Sequence, residues 1–343
     1  MRNIGKKIVS AFLTVLMLSA CAVQAGAVSV KEITAPSAIL VEAETGKVLF
    51  EKDCHQVRAC ASITKVMTML LVMEAIEDGK ISMKDSITAS AHAASMGGSD
   101  IWLEEGEVMS VHDLIKATAV ASANDAAVAL AEEVAGSEDA FVEKMNEKAK
   151  SLGMKETTFK NCNGLDEEGH LTSAYDVAVM SRELIKHKEI FEFTSIWMDN
   201  LRGGKTQIVN TNKLLKTYKG ITGLKTGTTS QAGSCISATA QRDGLTLVAV
   251  VLGSSSGKER FTDAAALLDH GFANYCIYTP VFKENIPEIS VKNGMQPNLK
   301  AAANISGSFV IEKGRSKEVT YRLNVKNEVE APVNKGDKVG TLT

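Results

Sequence analysis

The chain has 343 residues, of which 45% are hydrophobic, 23% charged and only 5% aromatic. That length suggests two domains, or one large domain with an appendage, and the composition excludes disordered and collagen-like chains. A formal net charge of −3 lacks the basic excess of a nucleic-acid-binding surface, so no nucleic-acid partner is expected.

The N-terminus carries Arg2, Lys6 and Lys7, then an apolar run over residues 8–18, then Ala25-Gly26-Ala27. A basic segment, a short apolar segment and a small-residue site come in the order an export signal requires, so residues 1–27 are expected to be a signal peptide. A competing processing site is Leu18-Ser19-Ala20-Cys21, which has the form of a lipoprotein box with Cys21 as the lipidated residue. Beyond residue 27 there are 35 basic and 41 acidic residues.

Residues 38–50 read as a hairpin around Glu44-Thr45-Gly46-Lys47. Residues 62–78 read as a helix closed by Gly79 and apolar nearly all round, hence buried. Residues 86–106 are loop-like. Ala-rich helices are expected over 111–121 and 125–135, interrupted at Ser122-Ala123-Asn124, with further helices over 138–152 and 173–187. Residues 225–240 and 245–252 are strand-like and meet at Arg242-Asp243-Gly244, a hairpin signal. Residues 261–275 form a closing helix. Strands at both ends of residues 36–278 with helices between them make an α+β pattern, an antiparallel sheet built from both chain ends. After Pro280 short alternating stretches read as a small all-β domain, residues 280–343.

Five cysteines follow the signal: Cys54, Cys60, Cys162, Cys235 and Cys276. An odd number argues against a disulfide framework. They read as small buried hydrophobes, with Cys54 and Cys60 close enough in sequence for pairing to be a question. No Cys-x-x-Cys or His-x-x-x-His spacing points to a metal, and no cofactor is expected. His92, His112, His170 and His187 read as surface or loop residues, and Trp102 and Trp197 as packing residues. Arg260, in Gly257-Lys258-Glu259-Arg260, could lie near the carboxylate site but is not counted among the site residues.

Three short elements carry chemistry. In Ser62-Ile63-Thr64-Lys65 the Ser and Lys share a helix face. A Ser hydroxyl needs a base to become a nucleophile, and a Lys that loses its charge through burial is such a base. In Ser122-Ala123-Asn124, Ser122 could pass a proton to a leaving amine and Asn124 could hold a substrate amide. In Lys225-Thr226-Gly227-Thr228, Lys225 and Thr226 could grip a carboxylate. Gly227 would allow close backbone approach, and the Thr228 N–H could face an oxyanion. Each element alone has a bland reading as a cap or strand edge; the three in this order and context form the set of penicillin-binding proteins and β-lactamases.

The run from Pro36 to about Tyr275 resembles the serine-type D-alanyl-D-alanine carboxypeptidases, the low-molecular-mass penicillin-binding proteins. Ala61 to Thr68, Ser122 to Ala126, Asn163-Gly164-Leu165-Asp166, Ser173-Ala174-Tyr175-Asp176 and Gly223 to Thr228 carry the likeness. The resemblance implies a β-lactamase/transpeptidase-like domain over 36–278 and a Ser62 acyl-enzyme formed from a peptidoglycan stem peptide ending in D-Ala-D-Ala. Lys65 is then the base, Ser122 the proton relay and Asn124 the clamp on the acyl chain. Lys225 and Thr226 bind the terminal carboxylate, the N–H groups of Ser62 and Thr228 form the oxyanion hole, and β-lactams inhibit. It also implies action in the cell envelope outside the cytoplasm.

Family members commonly end in a membrane-lying amphipathic helix. The given sequence ends at Gly340-Thr341-Leu342-Thr343 in strand-like residues, which leaves membrane association and completeness of the small domain as open questions beside oligomeric state. Two alternatives stand: a non-catalytic β-lactam or peptidoglycan sensor, and a class A β-lactamase using Glu167 or Glu168 on the deacylating water.

Overall fold

The computed structural model describes residues 33–305 and 307–343. The expected signal peptide and Cys21 lie outside the described residues.

A five-stranded antiparallel sheet in the order β2-β1-β9-β8-β7 organises the larger part of the chain. Strand β1 (Ser37–Glu42) and β2 (Val48–Lys52) come from its start. Strands β7 (Ile221–Thr229), β8 (Gly233–Arg242) and β9 (Leu245–Ser254) come from its end. The α+β architecture with a sheet from both chain ends is thus present. Side chains on alternate strand positions enter two separate cores. Ile39, Val41, Val248 and Val250 face one; Ala38, Leu40, Leu247 and Ala249 face the other. A strand buried on both faces reads as continuous apolar sequence, which is why these runs lack polar alternation.

The larger core holds α1 (Lys65–Glu77), whose residues are buried without a break from Lys65 to Met73. A 3-10 turn, Ala61–Thr64, leads into it, so Ser62 sits in a tight turn ahead of the α-helix. Around α1 lie α2 (Ala91–Ala94), α3 (Val111–Val120), α4 (Asn124–Ala135), α5 (Glu138–Ser151) and α6 (Ala174–Leu184). The Ser110, Ser137 and Ser173 hydroxyls accept from the backbone N–H three residues on, capping α3, α5 and α6. Two four-residue helices follow, α7 (Phe191–Thr194) and α8 (Leu214–Thr217). Helix α9 (Gly257–Asn274), capped by Ser256, covers the second core with Ala264, Leu267 and Leu268.

Some expectations need correction. The loop-like stretch 86–106 contains β3 (Ser86–Thr88), paired with β4 (Val108–Ser110), and α2. Three- and four-residue elements show no readable period. The single strand-like run 225–240 is two strands turning at residues 230–232. The hairpin β5 (Met198–Leu201) and β6 (Thr206–Val209) was not anticipated. At Asp243-Gly244 the turn is as expected: φ is 49° and 79° at the two residues, the left-handed pair of a tight hairpin.

Strand β10 (Tyr275–Tyr278) continues from α9 and pairs with β13 (Phe309–Glu312). Beyond them β11 (Ile289–Lys292) lies between β12 (Asn298–Leu299) and β15 (Glu328–Glu330). Strands β14 (Leu323–Val325) and β16 (Gly340–Leu342) form a further pair.

Candidate active site

The site is assembled where the 61–64 turn, the bend between α3 and α4, the 161–166 loop and strand β7 meet. Residues three apart eclipse in a 3-10 turn, and this sets Lys65 over Ser62: Nζ donates to Ser62 Oγ at 3.0 Å. The remaining Lys65 donors go to Asn124 Oδ1 at 2.5 Å and the Asn163 carbonyl at 2.7 Å. All three acceptors are uncharged and the side chain is fully buried. Burial without a contacting anion pulls the amine down to about 7, against smaller opposing effects of Cys162 and Asp125.

Ser122 is buried with φ at 63°, a left-handed conformation rare for a side-chain-bearing residue. The surroundings hold it there: Ala123 N–H donates to the Ala117 carbonyl at 3.2 Å and Asn124 N–H to the Ser99 carbonyl at 2.7 Å. Asn124 Nδ2 donates to the Gly97 carbonyl at 2.6 Å, which leaves Oδ1 for Lys65. The buried Asp125 carboxylate turns away to accept from Ile101 and Leu103 N–H, each at 3.0 Å, and so ties the 97–103 loop to α4.

On β7, a Cβ built on Gly227 would lie 2.8 Å from the Cys60 carbonyl oxygen and 2.9 Å from Ser62 N. Only glycine lets the strand come this close to the turn. Lys225 is buried and donates to the Thr226 carbonyl at 2.9 Å. Its amine is pushed well below the ordinary range, first by burial, then by the like charges of Lys65 and Arg260. Thr226 Oγ1 donates to Thr211 Oγ1 at 2.7 Å. Thr228 is exposed.

Of the eight residues read from the sequence, Ser62, Lys65 and Asn124 form one hydrogen-bonded cluster, and Gly227 packs on the turn beside them. Lys225, Thr226 and Thr228 flank Gly227 along β7. Ser122 is two residues from Asn124, and its hydroxyl makes no hydrogen bond among the described residues.

Other participants escaped sequence reading. Arg260 Nη1 donates to the Gly227 carbonyl and Thr228 Oγ1, both at 2.8 Å, while its buried Nε has no partner among the described residues. Asn163 contributes only a carbonyl, and a backbone group leaves no sequence signal. His170, read as a surface or loop residue, lies in a loop but is buried and bonded to Thr64 at 2.7 Å. Trp102 is 76% exposed instead of packed. Cys54 and Cys60 are free thiols, buried like Cys162 and Cys235. Glu167 accepts from Asn161 Nδ2 at 3.0 Å, and neither it nor Glu168 hydrogen-bonds to Ser62 or Lys65. Among the described residues no group of three or more His, Cys, Asp or Glu could hold a metal, and no helix is long and apolar enough to cross a membrane.

This arrangement pairs a hydroxyl with an amine whose proton burial has loosened, beside the Asn124 amide and the buried Lys225 on β7. Known proteins resemble the chain over most of their length. A family model for D-alanyl-D-alanine carboxypeptidase matches residues 24–256, and one for the C-terminal domain of penicillin-binding protein 5 matches residues 278–343. The D-alanyl-D-alanine carboxypeptidase DacF of Bacillus subtilis is 46% identical over 314 residues, 90% of this chain and 80% of that protein. DacC of Escherichia coli is 34% identical over 344 residues, 97% and 85% of the two chains. Among solved structures, penicillin-binding protein 5 of Haemophilus influenzae superposes with a TM-score of 0.78 at 32% identity, covering 91% of this chain and 92% of its own. Penicillin-binding protein D2 of Listeria monocytogenes, in its ampicillin-bound form, gives 0.65 at 33% identity over 70% and 98%. With Ser62, Lys65 and Asn124 in one hydrogen-bonded cluster and the likeness running through both parts of the molecule, the chain belongs to the D-alanyl-D-alanine carboxypeptidase family.

Proposed function

We propose that this protein hydrolyses the terminal peptide bond of peptidoglycan stem peptides ending in D-Ala-D-Ala, through an acyl-enzyme on Ser62. The observation that carries the reading is the 3.0 Å contact between Ser62 Oγ and a fully buried Lys65 with no contacting anion. On losing one proton Lys65 keeps its donors to Asn124 and Asn163 and turns its lone pair to Ser62, taking the hydroxyl proton as Oγ attacks the penultimate D-Ala carbonyl. The oxyanion faces the N–H groups of Ser62 and Thr228, whose strands of chain are held together through Gly227. Ser122 passes the proton to the departing amine, and the terminal D-Ala leaves with it. Water then attacks the ester, with Lys65 again as base, and restores the Ser62 hydroxyl. Asn124 holds the substrate amide. Lys225 and Thr226 bind the terminal carboxylate, and Arg260 supports β7 beneath them.

β-Lactams follow the same first step and leave a stable ester on Ser62; the ampicillin-bound Listeria homologue supports this reading. The order of charge, apolar run and small residues over residues 1–27 supports export, with action in the cell envelope.

Fluorescent penicillin is expected to label the wild-type protein and not Ser62→Ala, and wild type is expected to release D-alanine from a diacyl-Lys-D-Ala-D-Ala peptide. Label retained by Ser62→Ala would remove the nucleophile assignment. Labelling of wild type without D-alanine release would favour a sensor.

A further inference from the structure

His170 stands outside the cluster of Ser62, Lys65 and Asn124, yet its ring is packed on the turn that carries Ser62. Nδ1 accepts from the Lys160 N–H at 3.1 Å, which leaves the ring proton on Nε2. Nε2–H therefore donates to Thr64 Oγ1 at 2.7 Å. That hydroxyl has a single proton and donates it to the Ala61 carbonyl at 2.9 Å. The relay runs in one direction, from ring to hydroxyl to carbonyl.

The Ala61 carbonyl and the Ser62 N–H belong to one planar peptide unit, so fixing the oxygen fixes the direction of the N–H. Regular helix geometry does not do this here, because Ala61 has φ at 52°. Accepting a hydrogen bond at the oxygen also polarises the unit and strengthens its N–H as a donor. Two glycines leave room for the plane. A Cβ on Gly164 would lie 2.0 Å from the Ala61 oxygen, and one on Gly227 would lie 2.9 Å from Ser62 N.

We propose that His170 is a positioning residue: acting through Thr64, it orients the Ala61–Ser62 peptide so that the Ser62 N–H points to where the oxyanion develops. The inference rests on Ser62 being the nucleophile. Around the ring, Phe159 packs edge-on at 5.8 Å between centroids. Asp166 and Glu167 are the nearby acids, and the Cys60 thiol lies 3.5 Å from Thr64 Oγ1. Burial outweighs the two acids and brings the imidazole down to about 4. At neutral pH the ring is uncharged and the relay keeps its direction.

Three variants separate the two ring nitrogens. His170→Gln keeps a donor near the Nε2 position. His170→Asn keeps only an acceptor near the Nδ1 position. Thr64→Val removes the hydroxyl at nearly constant volume. Stopped-flow acylation by a fluorescent penicillin resolves the noncovalent dissociation constant from the acylation rate constant, and thermal melting checks the fold of each variant. Loss of an oxyanion donor costs ~10²–10³-fold, so misaiming one is expected to slow acylation ~10-fold or more in Thr64→Val and His170→Asn. The dissociation constant and the pH profile should stay unchanged. His170→Gln is expected to rescue the rate, and the Thr64→Val/His170→Asn pair to be no slower than Thr64→Val alone. Wild-type acylation by Thr64→Val, failure of His170→Gln to rescue, equal losses in binding and rate, or a displaced pH profile would each overturn the proposal. Wild type that takes up no penicillin would instead remove the Ser62 reading itself.

Discussion

Lys65 has an ordinary amine value of 10.5 that burial lowers to about 7. Two consequences follow at the scale of this residue. The acid limb of kcat/KM is expected near pH 7, activity rising as the amine loses its proton. Lys65→Arg, which stays charged, should lose ~10²–10⁴-fold in acylation. Stability moves in the same direction with pH. Between 7 and 10.5 the unfolded chain holds a proton that the folded chain does not, so stability rises across this window and the burial penalty is complete below it. Lys65→Met should therefore raise the melting temperature while abolishing acylation, with the larger gain at pH 6 than at pH 10. A melting temperature unchanged at every pH would contradict the buried neutral amine. Arg260 and His170 belong to this scale too. Nothing local to either residue announces its role. Arg260 meets Gly227 across 33 positions and His170 meets Thr64 across 106, and only the closed fold sets those pairs side by side.

Among the elements, the contact of the 61–64 turn with β7 and with the 161–166 loop decides the site. A methyl group at Gly227 would press on the Cys60 and Ser62 backbone at 2.8 and 2.9 Å. Gly227→Ala is expected to slow acylation ~10²-fold, the effect of misplacing reacting groups by about 1 Å, and stopped-flow penicillin labelling measures it. Gly164→Ala combines φ at 87° with a 2.0 Å contact to the Ala61 oxygen, so denaturant unfolding should show a loss of more than about 1 kcal/mol. Elements with a strong chemical signature were legible in the sequence: the all-round apolar α1, the Asp243-Gly244 turn and the polar break at Ser122-Ala123-Asn124. The pairs β3–β4 and β5–β6 were not. Their three- and four-residue strands are shorter than any readable period, and they pair through backbone hydrogen bonds that side-chain alternation does not report.

At the scale of the whole molecule, the part after residue 280 docks on the larger part through a few contacts. Strand β13 pairs with β10 and places Val310 in the second core. Lys313 reaches back to the Phe272 carbonyl at 2.6 Å. Trp102 and Trp197, the two tryptophans of the chain, both report on the larger part. Val310→Ala is expected to cost about 1–2 kcal/mol, as for a modest core truncation, and to shift the tryptophan-monitored unfolding midpoint while leaving acylation at the wild-type rate. An unmoved midpoint would mean that the two parts unfold independently.

The central sheet has a temporal consequence. Its second strand in space, β1, is bonded to β9 with Ser37 opposite Leu252, so more than two hundred residues separate partners that touch. β1 can pair with β2 at once, but a ribosome must finish nearly the entire larger part before β9 reaches its other edge. Until then β2 covers one edge of β1 while the edge that β9 will take stays unpaired, and loop closure of this size makes assembly slow. The order of synthesis therefore sets the moment at which the surroundings of Ser62 come into being.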